Sequence, residues 1–176
     1  ITFLAVMIND LSTLSRAERG VMSEQETINI EPFIHGIYKQ YEKEARKKDL
    51  RLNLDLDPQL GAITVSELYL RELIQNLITN AIKYTKKGSV TLAVHKNEDG
   101  LTFAVKDTGI GISKSDQKHI FEKFFRSEDY RTRETNGTGL GLHVAKKLAG
   151  LLSAKIELSS RLNYGSTFSF TIKNTD

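Results

Sequence analysis

Asn76, Asn80 and Lys83 lie along a stretch that Ser66 starts as an N-cap and that reads as a helix to about Tyr84. On a helical wheel Glu72, Asn76, Lys83 and Asn80 fall at about 0, 40, 20 and 80°. Leu70, Leu73, Ile74, Leu77, Ile78, Ala81 and Ile82 fill the arc from about 100 to 280°. A narrow amide-and-lysine stripe thus runs down an otherwise buried helix. Asparagine favours caps and turns, because its amide competes for backbone hydrogen bonds. Two of them mid-helix fit a face turned to a polar ligand better than an ordinary solvated face. Amide oxygens suit Mg²⁺, a hard oxygen-seeking cation, and lysine neutralises phosphate.

Asp107 is the second chemical signal. Leu101, Phe103 and Val105 share one strand parity, and Asp107 continues it. A carboxylate ending an inward-facing row is costly without a donor. Gly109 and Gly111 follow, allowing close backbone approach. An exocyclic amine such as that of adenine is a suitable donor; a strand-ending aspartate in a turn is the plainer alternative. The third signal is Asn136-Gly137-Thr138-Gly139-Leu140-Gly141-Leu142, which opens the last helix. Glycines leave its first N–H groups unobstructed, and with the helix dipole these form an anion site. Alone the run also reads as a hinge; after the other two signals it points to phosphate.

The elements that must position these residues follow from periodicity. Ile1, Leu4, Ile8 and Leu11 take heptad a/d spacing, with Met7 and Leu14 beside them. This reads as the end of a bundle or coiled-coil helix, or as a helix packed on its own domain. Gly20 and Ser23-Glu24-Gln25-Glu26 look like a linker. Residues 27–30 form a short strand, and Pro32 opens a helix whose stripe is Phe33, Ile37, Tyr41 and Ala45. Arg46, Lys47 and Lys48 read as its solvated last turn. Alternation marks strands around Leu52, Leu54 and Leu56, and at residues 90–95, 101–107, 156–158 and 167–172. Asn97-Glu98-Asp99-Gly100 is a hairpin turn. Residues 109–137 are polar and mostly aperiodic, and a loop that long inside a compact domain is usually functional, often a lid. Residues 140–152 form the last helix.

Composition narrows the classes. The 176 residues suffice for one domain, or one domain plus a helix. The net charge of +3 does not suggest a nucleic-acid partner, and zero Cys excludes disulfides, thiolate nucleophiles and cysteine-ligated zinc. No apolar run is long enough to span a membrane. There is no GxxxxGK[ST], GxGxxG after a strand, HExxH or GxSxG. His35, His95, His119 and His143 form no metal-ligand spacing. The start at Ile1, inside an apolar helical pattern, reads as that of a piece cut from a longer protein.

Four ordered motifs carry a family resemblance. They are Asn76-Leu77-Ile78-Thr79-Asn80-Ala81-Ile82-Lys83-Tyr84, Asp107-Thr108-Gly109-Ile110-Gly111, Phe121-Glu122-Lys123-Phe124-Phe125-Arg126 and Gly137-Thr138-Gly139-Leu140-Gly141-Leu142. Together they resemble the N, G1, F and G2 boxes of sensor histidine kinases. Ile8-Asn9-Asp10-Leu11 with Leu14-Ser15-Arg16 resembles the end of the second helix of their dimerisation domain. This implies a stub of that helix over residues 1–20 and an ATP-binding catalytic domain over 21–176. The implied fold is α+β, a two-layer α/β sandwich shared with gyrase and heat-shock chaperone ATPases. In it a mixed, mainly antiparallel sheet is covered by three helices, with a mobile ATP lid.

By the same resemblance Asn80 is the Mg²⁺ ligand, and Asn76 and Lys83 lie by the phosphates of ATP. Tyr84 lines the pocket and Asp107 takes the adenine amine. Gly109 and Gly111 shape the floor. Gly137, Thr138, Gly139, Leu140, Gly141 and Leu142 supply the lid and phosphate turn. Phe121, Phe124 and Phe125 anchor the lid, and Arg126 reaches the phosphate or the partner helix. The implied partners are a dimerisation domain, a response regulator and a second copy of the parent, which is membrane-anchored with this domain cytoplasmic. An ATP-hydrolysing relative of the gyrase or chaperone type, an anti-sigma serine kinase and a nucleotide-sensing scaffold are the alternatives. The hydrolases carry Glu where this chain has Asn76. Two departures stand out: Leu152-Ser153-Ala154 replaces the usual His-Gly-Gly, and no histidine is followed by an acid as a phosphoacceptor is.

Overall fold

The computed structural model describes residues 2–21 and 23–174. Ile1, the first position of the expected heptad stripe, lies outside them. The chain runs α1 (Phe3–Glu18), β1 (Glu26–Asn29), α2 (Ile30–Lys47), β2 (Leu50–Leu56), β3 (Ala62–Val65), α3 (Glu67–Lys83), β4 (Gly88–Lys96) and β5 (Gly100–Asp107). A 3₁₀ turn (Asp116–Lys118), the one-turn α4 (Tyr130–Arg133), α5 (Gly141–Leu151), β6 (Glu157–Arg161) and β7 (Gly165–Lys173) complete it.

Five strands form one sheet in the order β2-β4-β5-β7-β6, parallel only between β2 and β4. The α+β sandwich with a mixed, mainly antiparallel sheet is therefore the observed architecture. One face of the sheet is apolar. Val90, Leu92, Val94, Leu101, Phe103, Val105, Phe168, Phe170 and Ile172 are buried there, and Phe103 stacks on Phe170 with centroids 5.2 Å apart. That face packs under α2, α3 and α5, whose inward residues include Ile37, Leu73, Ile74, Leu77, Val144 and Leu148. The alternate strand positions are polar or small, as on Thr102 and Thr171, whose hydroxyls lie 2.8 Å apart.

Local chemistry explains the helix ends. The Ser66 hydroxyl accepts the Tyr69 N–H at 3.2 Å, capping α3 as the sequence predicts. The Asn97 side chain accepts the N–H groups of Asp99 and Gly100, which closes the β4–β5 hairpin. Lys48 corrects an expectation: it does not end in solvent. Its ammonium donates to the carbonyls of Ile82 and Lys83, at 2.5 and 3.3 Å, and so ties down the last turn of α3. The strand β3 has no counterpart in the sequence reading. Its four residues pair only with β1, and neither Ile63 nor Val65 is fully buried.

Helix α1 packs on α5. Its inward face is Asp10, Thr13, Leu14 and Ala17, while Leu4, Ile8 and Leu11 of the heptad stripe are exposed. The helix thus docks with a partly polar face and leaves its apolar one uncovered. Gly20, at φ 61°, turns the chain out of it.

Candidate nucleotide-binding site

A cavity of about 800 Å³ opens between α3, α5, the end of β5 and the segment joining β5 to α5. Asn76, Asn80, Lys83, Tyr84, Asp107, Gly111, Phe125, Arg126, Thr138, Gly139, Gly141 and Leu142 all line it. Of the residues singled out from sequence, Gly109, Phe121, Phe124 and Leu140 do not. Gly109 sits behind the wall, where a Cβ would lie 2.3 Å from the Tyr84 carbonyl. Leu140 is fully buried beneath the first turn of α5.

Asp107 is buried at the end of β5, opposite Ser166 of β7. Its carboxylate accepts the Gly109 N–H at 2.8 Å. Burial pushes its carboxyl above the usual carboxylate range, against the lowering effect of the Gly109 and Ser166 backbone N–H groups. The inward parity predicted for Leu101, Phe103, Val105 and Asp107 is the observed one. The turn that follows is crowded. Gly111 takes φ 67°, and a Cβ there would lie 2.0 Å from the Arg161 carbonyl. The glycines in this turn permit backbone contacts that no side chain would.

The polar stripe of α3 faces the N-terminus of α5. A Cβ on Gly141 would lie 3.9 Å from Asn76 Oδ1, and one on Gly137 only 2.4 Å from Lys83 Nζ. Burial pushes the Lys83 ammonium below its ordinary range, helped by Arg126 and opposed by Asp10. Thr138 Oγ1 accepts the Leu140 N–H at 3.1 Å and so braces the entry to α5. The free N–H groups and the dipole of α5 face this side of the cavity, a ready anion site.

The segment joining β5 to α5 is more ordered than a bare loop. Ile120 is buried, the Phe121 ring meets Phe168 edge-on, and Phe125 packs near His119. Phe124 corrects the expected anchoring: its side chain is 61% exposed, and its backbone N–H holds the Gly139 carbonyl at 2.8 Å instead. The Arg126 guanidinium donates to the Thr132 and Thr135 carbonyls, at 2.8 and 2.6 Å, stitching the segment to itself.

Residues to which the sequence reading gave no site role complete the walls. Ile110, Ile112, Ser166 and Phe168 join on the Asp107 side, and Asn9, Asp10 and Thr13 enter from α1. Ser166 follows Gly165 at the start of an alternating strand, a faint signal; Asp10 stands in the Ile8-Asn9-Asp10-Leu11 motif, but nothing local marks it as a cavity residue. Glu72 also lines the cavity, but the Arg16 guanidinium holds its carboxylate at 3.0 Å. None of the four histidines lines it.

This arrangement unites a buried carboxylate, an amide-and-lysine stripe and a glycine-opened helix terminus around one cavity. The family described as "Histidine kinase-, DNA gyrase B-, and HSP90-like ATPase" matches residues 65–176. The chain belongs to this ATP-binding family. It is 30% identical over 176 residues to the histidine protein kinase SaeS of Staphylococcus aureus, covering 98% of this chain and 50% of that protein. It is 33% identical over 177 residues to the sensor histidine kinase AruS of Pseudomonas aeruginosa, covering 97% and 18%. The chain therefore spans half of one relative and under a fifth of the other. Among solved structures, full-length ShkA in complex with AMPPNP superposes with a TM-score of 0.86 at 24% identity, over 98% of this chain and 37% of that one. The catalytic domain of the histidine kinase ThkA gives 0.74 at 24% identity, over 87% and 99%. Those likenesses show the fold, and the family match shows that this is an ATP-binding domain. No helix among the described residues is long and apolar enough to cross a membrane.

Proposed function

We propose that the chain is the catalytic ATP-binding domain of a two-component sensor histidine kinase, passing the γ-phosphoryl group of ATP to a histidine on a dimerisation domain. The observation that carries this reading is the cavity itself, with Asn76 rather than an acid beside the entry to α5. An amide cannot take a proton from water, and Glu72, the carboxylate one turn earlier, is engaged by Arg16. This disfavours hydrolysis of the gyrase or chaperone type. All four histidines stand outside the cavity, which favours an acceptor supplied by another domain. Likeness to SaeS and AruS, both named as histidine kinases, supports the same reading.

In this proposal Asp107 receives the adenine amine, and Asn76, Lys83, Thr138 and the α5 N-terminus receive the phosphates. Asn80 holds Mg²⁺ through its amide oxygen. The fit is chemical: a half-buried amide on the cavity wall, beside a lysine and a helix N-terminus, suits a hard cation that travels with phosphate. The bound ion supplies charge neutralisation at the phosphates. Phosphoryl transfer asks the protein mainly for positioning and such neutralisation. The exposed stripe Leu4, Ile8 and Leu11 supports pairing with a second copy of the parent. A response-regulator receiver domain would accept the phosphoryl group next, and the parent would be membrane-anchored with this domain cytoplasmic.

The test is transfer in trans. With γ-labelled Mg-ATP the chain alone should give no stable phosphohistidine. A separate dimerisation domain bearing the acceptor histidine should become labelled, and Asn80→Ala should abolish that. Acid-labile, base-stable label on the chain alone would refute the reading.

A further inference from the structure

A carboxylate from α1 already stands in the phosphate side of the cavity. Asp10 is only 8% exposed, and it accepts the Thr138 hydroxyl at 2.8 Å. Thr138 and Lys83 belong to the wall that presents donors to an anion; burial pushes the Asp10 carboxyl above its ordinary range, opposed by the Thr138 hydroxyl and then by the Lys83 charge. Asp10 spends one of those donors and brings its own negative charge. Phe3, Val6, Asn9 and Thr13 of the same helix share the cavity.

Side-chain ties hold α1 in this position. Arg16 pairs with Glu72 at 3.0 Å, Glu18 pairs with Lys123 at 2.7 Å, and the Tyr69 hydroxyl donates to the Val21 carbonyl just beyond the helix. The buried apolar contribution of α1 is confined to Leu14 and Ala17. Of these ties the Glu18–Lys123 pair is exposed and contributes little, while the Arg16–Glu72 pair is part-buried; with so small an apolar contact the dock remains one that a competing ligand can release.

We infer that Asp10 sets the affinity and selectivity of the cavity: its carboxylate occupies ground that a nucleotide phosphate needs, so phosphorylated nucleotides displace it together with α1, whereas adenosine does not. This rests on the ATP reading of the cavity. Like charges cannot share a half-buried site at small cost. Linkage then requires reciprocity, so that α1 docking weakens ATP binding by the factor by which ATP weakens docking.

Calorimetric titration of the chain with Mg-ATP and with adenosine separates the possibilities. Asp10→Asn keeps the shape and an acceptor for Thr138 while removing the charge. It should tighten Mg-ATP binding by about 5-fold or more, the usual lower range of coupling between sites, and leave adenosine within about 2-fold. In the unmodified protein, hydrogen exchange in α1 should accelerate on adding Mg-ATP and stay unchanged with adenosine, a readout that needs no variant. Unchanged or weaker Mg-ATP binding by Asp10→Asn, or added α1 protection with Mg-ATP, would overturn the inference while leaving the ATP site intact. Failure of the unmodified protein to bind either ligand would overturn both.

Discussion

Asp107 and Lys83 share one cavity but are held in place by different means. Asp107 ends a central strand, paired on both sides by β4 and β7, and its oxygen is fixed by a backbone N–H. Around it Gly109, Gly111 and Gly165 allow backbone to approach backbone. The Lys83 backbone belongs to the ladder of α3, but the wall facing its side chain has no such frame. Lys83 ends α3 under a glycine turn whose geometry depends on the Thr138 hydroxyl, the Phe124 backbone and the docked α1. Backbone ladders are cooperative and resist local opening, whereas side-chain ties in a connecting segment open at low cost. The Asp107 side is thus the more firmly framed of the two, and the Lys83 side the more easily opened.

Breaking the rigid side should have the largest effect. Gly165 takes φ 117°, and a Cβ there would lie 2.0 Å from the Asp107 carbonyl. Gly165→Ala should destabilise the protein by about 3–5 kcal/mol, the range reserved for strain and overpacking at fixed backbone, measured by urea unfolding. Next comes selection. Asp107→Asn removes a charged acceptor worth about 1.5–3 kcal/mol, so ATP should bind about 10- to 100-fold more weakly by calorimetry. Equal affinity of the unmodified protein for ATP and GTP would contradict the assigned role, since guanine offers a carbonyl where adenine offers an amine.

The contrast in rigidity has its own readout. Without nucleotide, amides in residues 112–136 should exchange at least about tenfold faster than those of β5 and β7, and ATP should slow them. Equal protection in both states would erase the proposed difference between the two sides. A smaller effect is expected from Gly137→Ala, whose Cβ would crowd the flexible end of Lys83 and touch the Tyr84 hydroxyl at an ordinary 3.9 Å. It should change stability by under about 1 kcal/mol while weakening ATP and sparing adenosine. The smallest lies outside the cavity. His95 meets Asp57 at 3.0 Å and Asp55 at 3.3 Å, and hydrogen bonding to Asp57, ahead of the other effects, raises its pKa. That stabilisation is fully present below the usual 6.5 and is lost as pH rises through the raised value. Melting temperature should therefore fall slightly more between pH 6 and 8 in the unmodified protein than in His95→Gln.

The framework of both sides was legible in the chain. Period-2 runs located the sheet, Ser66 located the start of α3, and the parity of Leu101, Phe103 and Val105 placed Asp107 inward. Each is a local signal, repeated over neighbouring residues. What escaped was non-local. Nothing near Lys48 announces that it closes a helix more than thirty residues away, and nothing near Phe124 announces that its backbone rather than its ring does the anchoring. β3 was missed because four residues with half-buried apolar positions carry too little alternation.

The sequence alone determined the long helices, every strand but β3 and the spacing of the polar and glycine motifs, since periodicity and glycine placement act within a few residues; the α+β architecture and the ATP site followed from the family resemblance that those motifs carry. Only the tertiary structure decided what α1 does with its two faces. The heptad stripe Leu4, Ile8 and Leu11 is the stronger signal in the chain, yet it remains exposed, while the partly polar face carrying Asp10 and Arg16 turns inward to Thr138 and Glu72. Those partners lie far along the chain, and an ion pair or a shared hydroxyl leaves no periodic trace. A helix buries the face for which a complementary surface exists, and that surface is assembled only when α3 and α5 have packed.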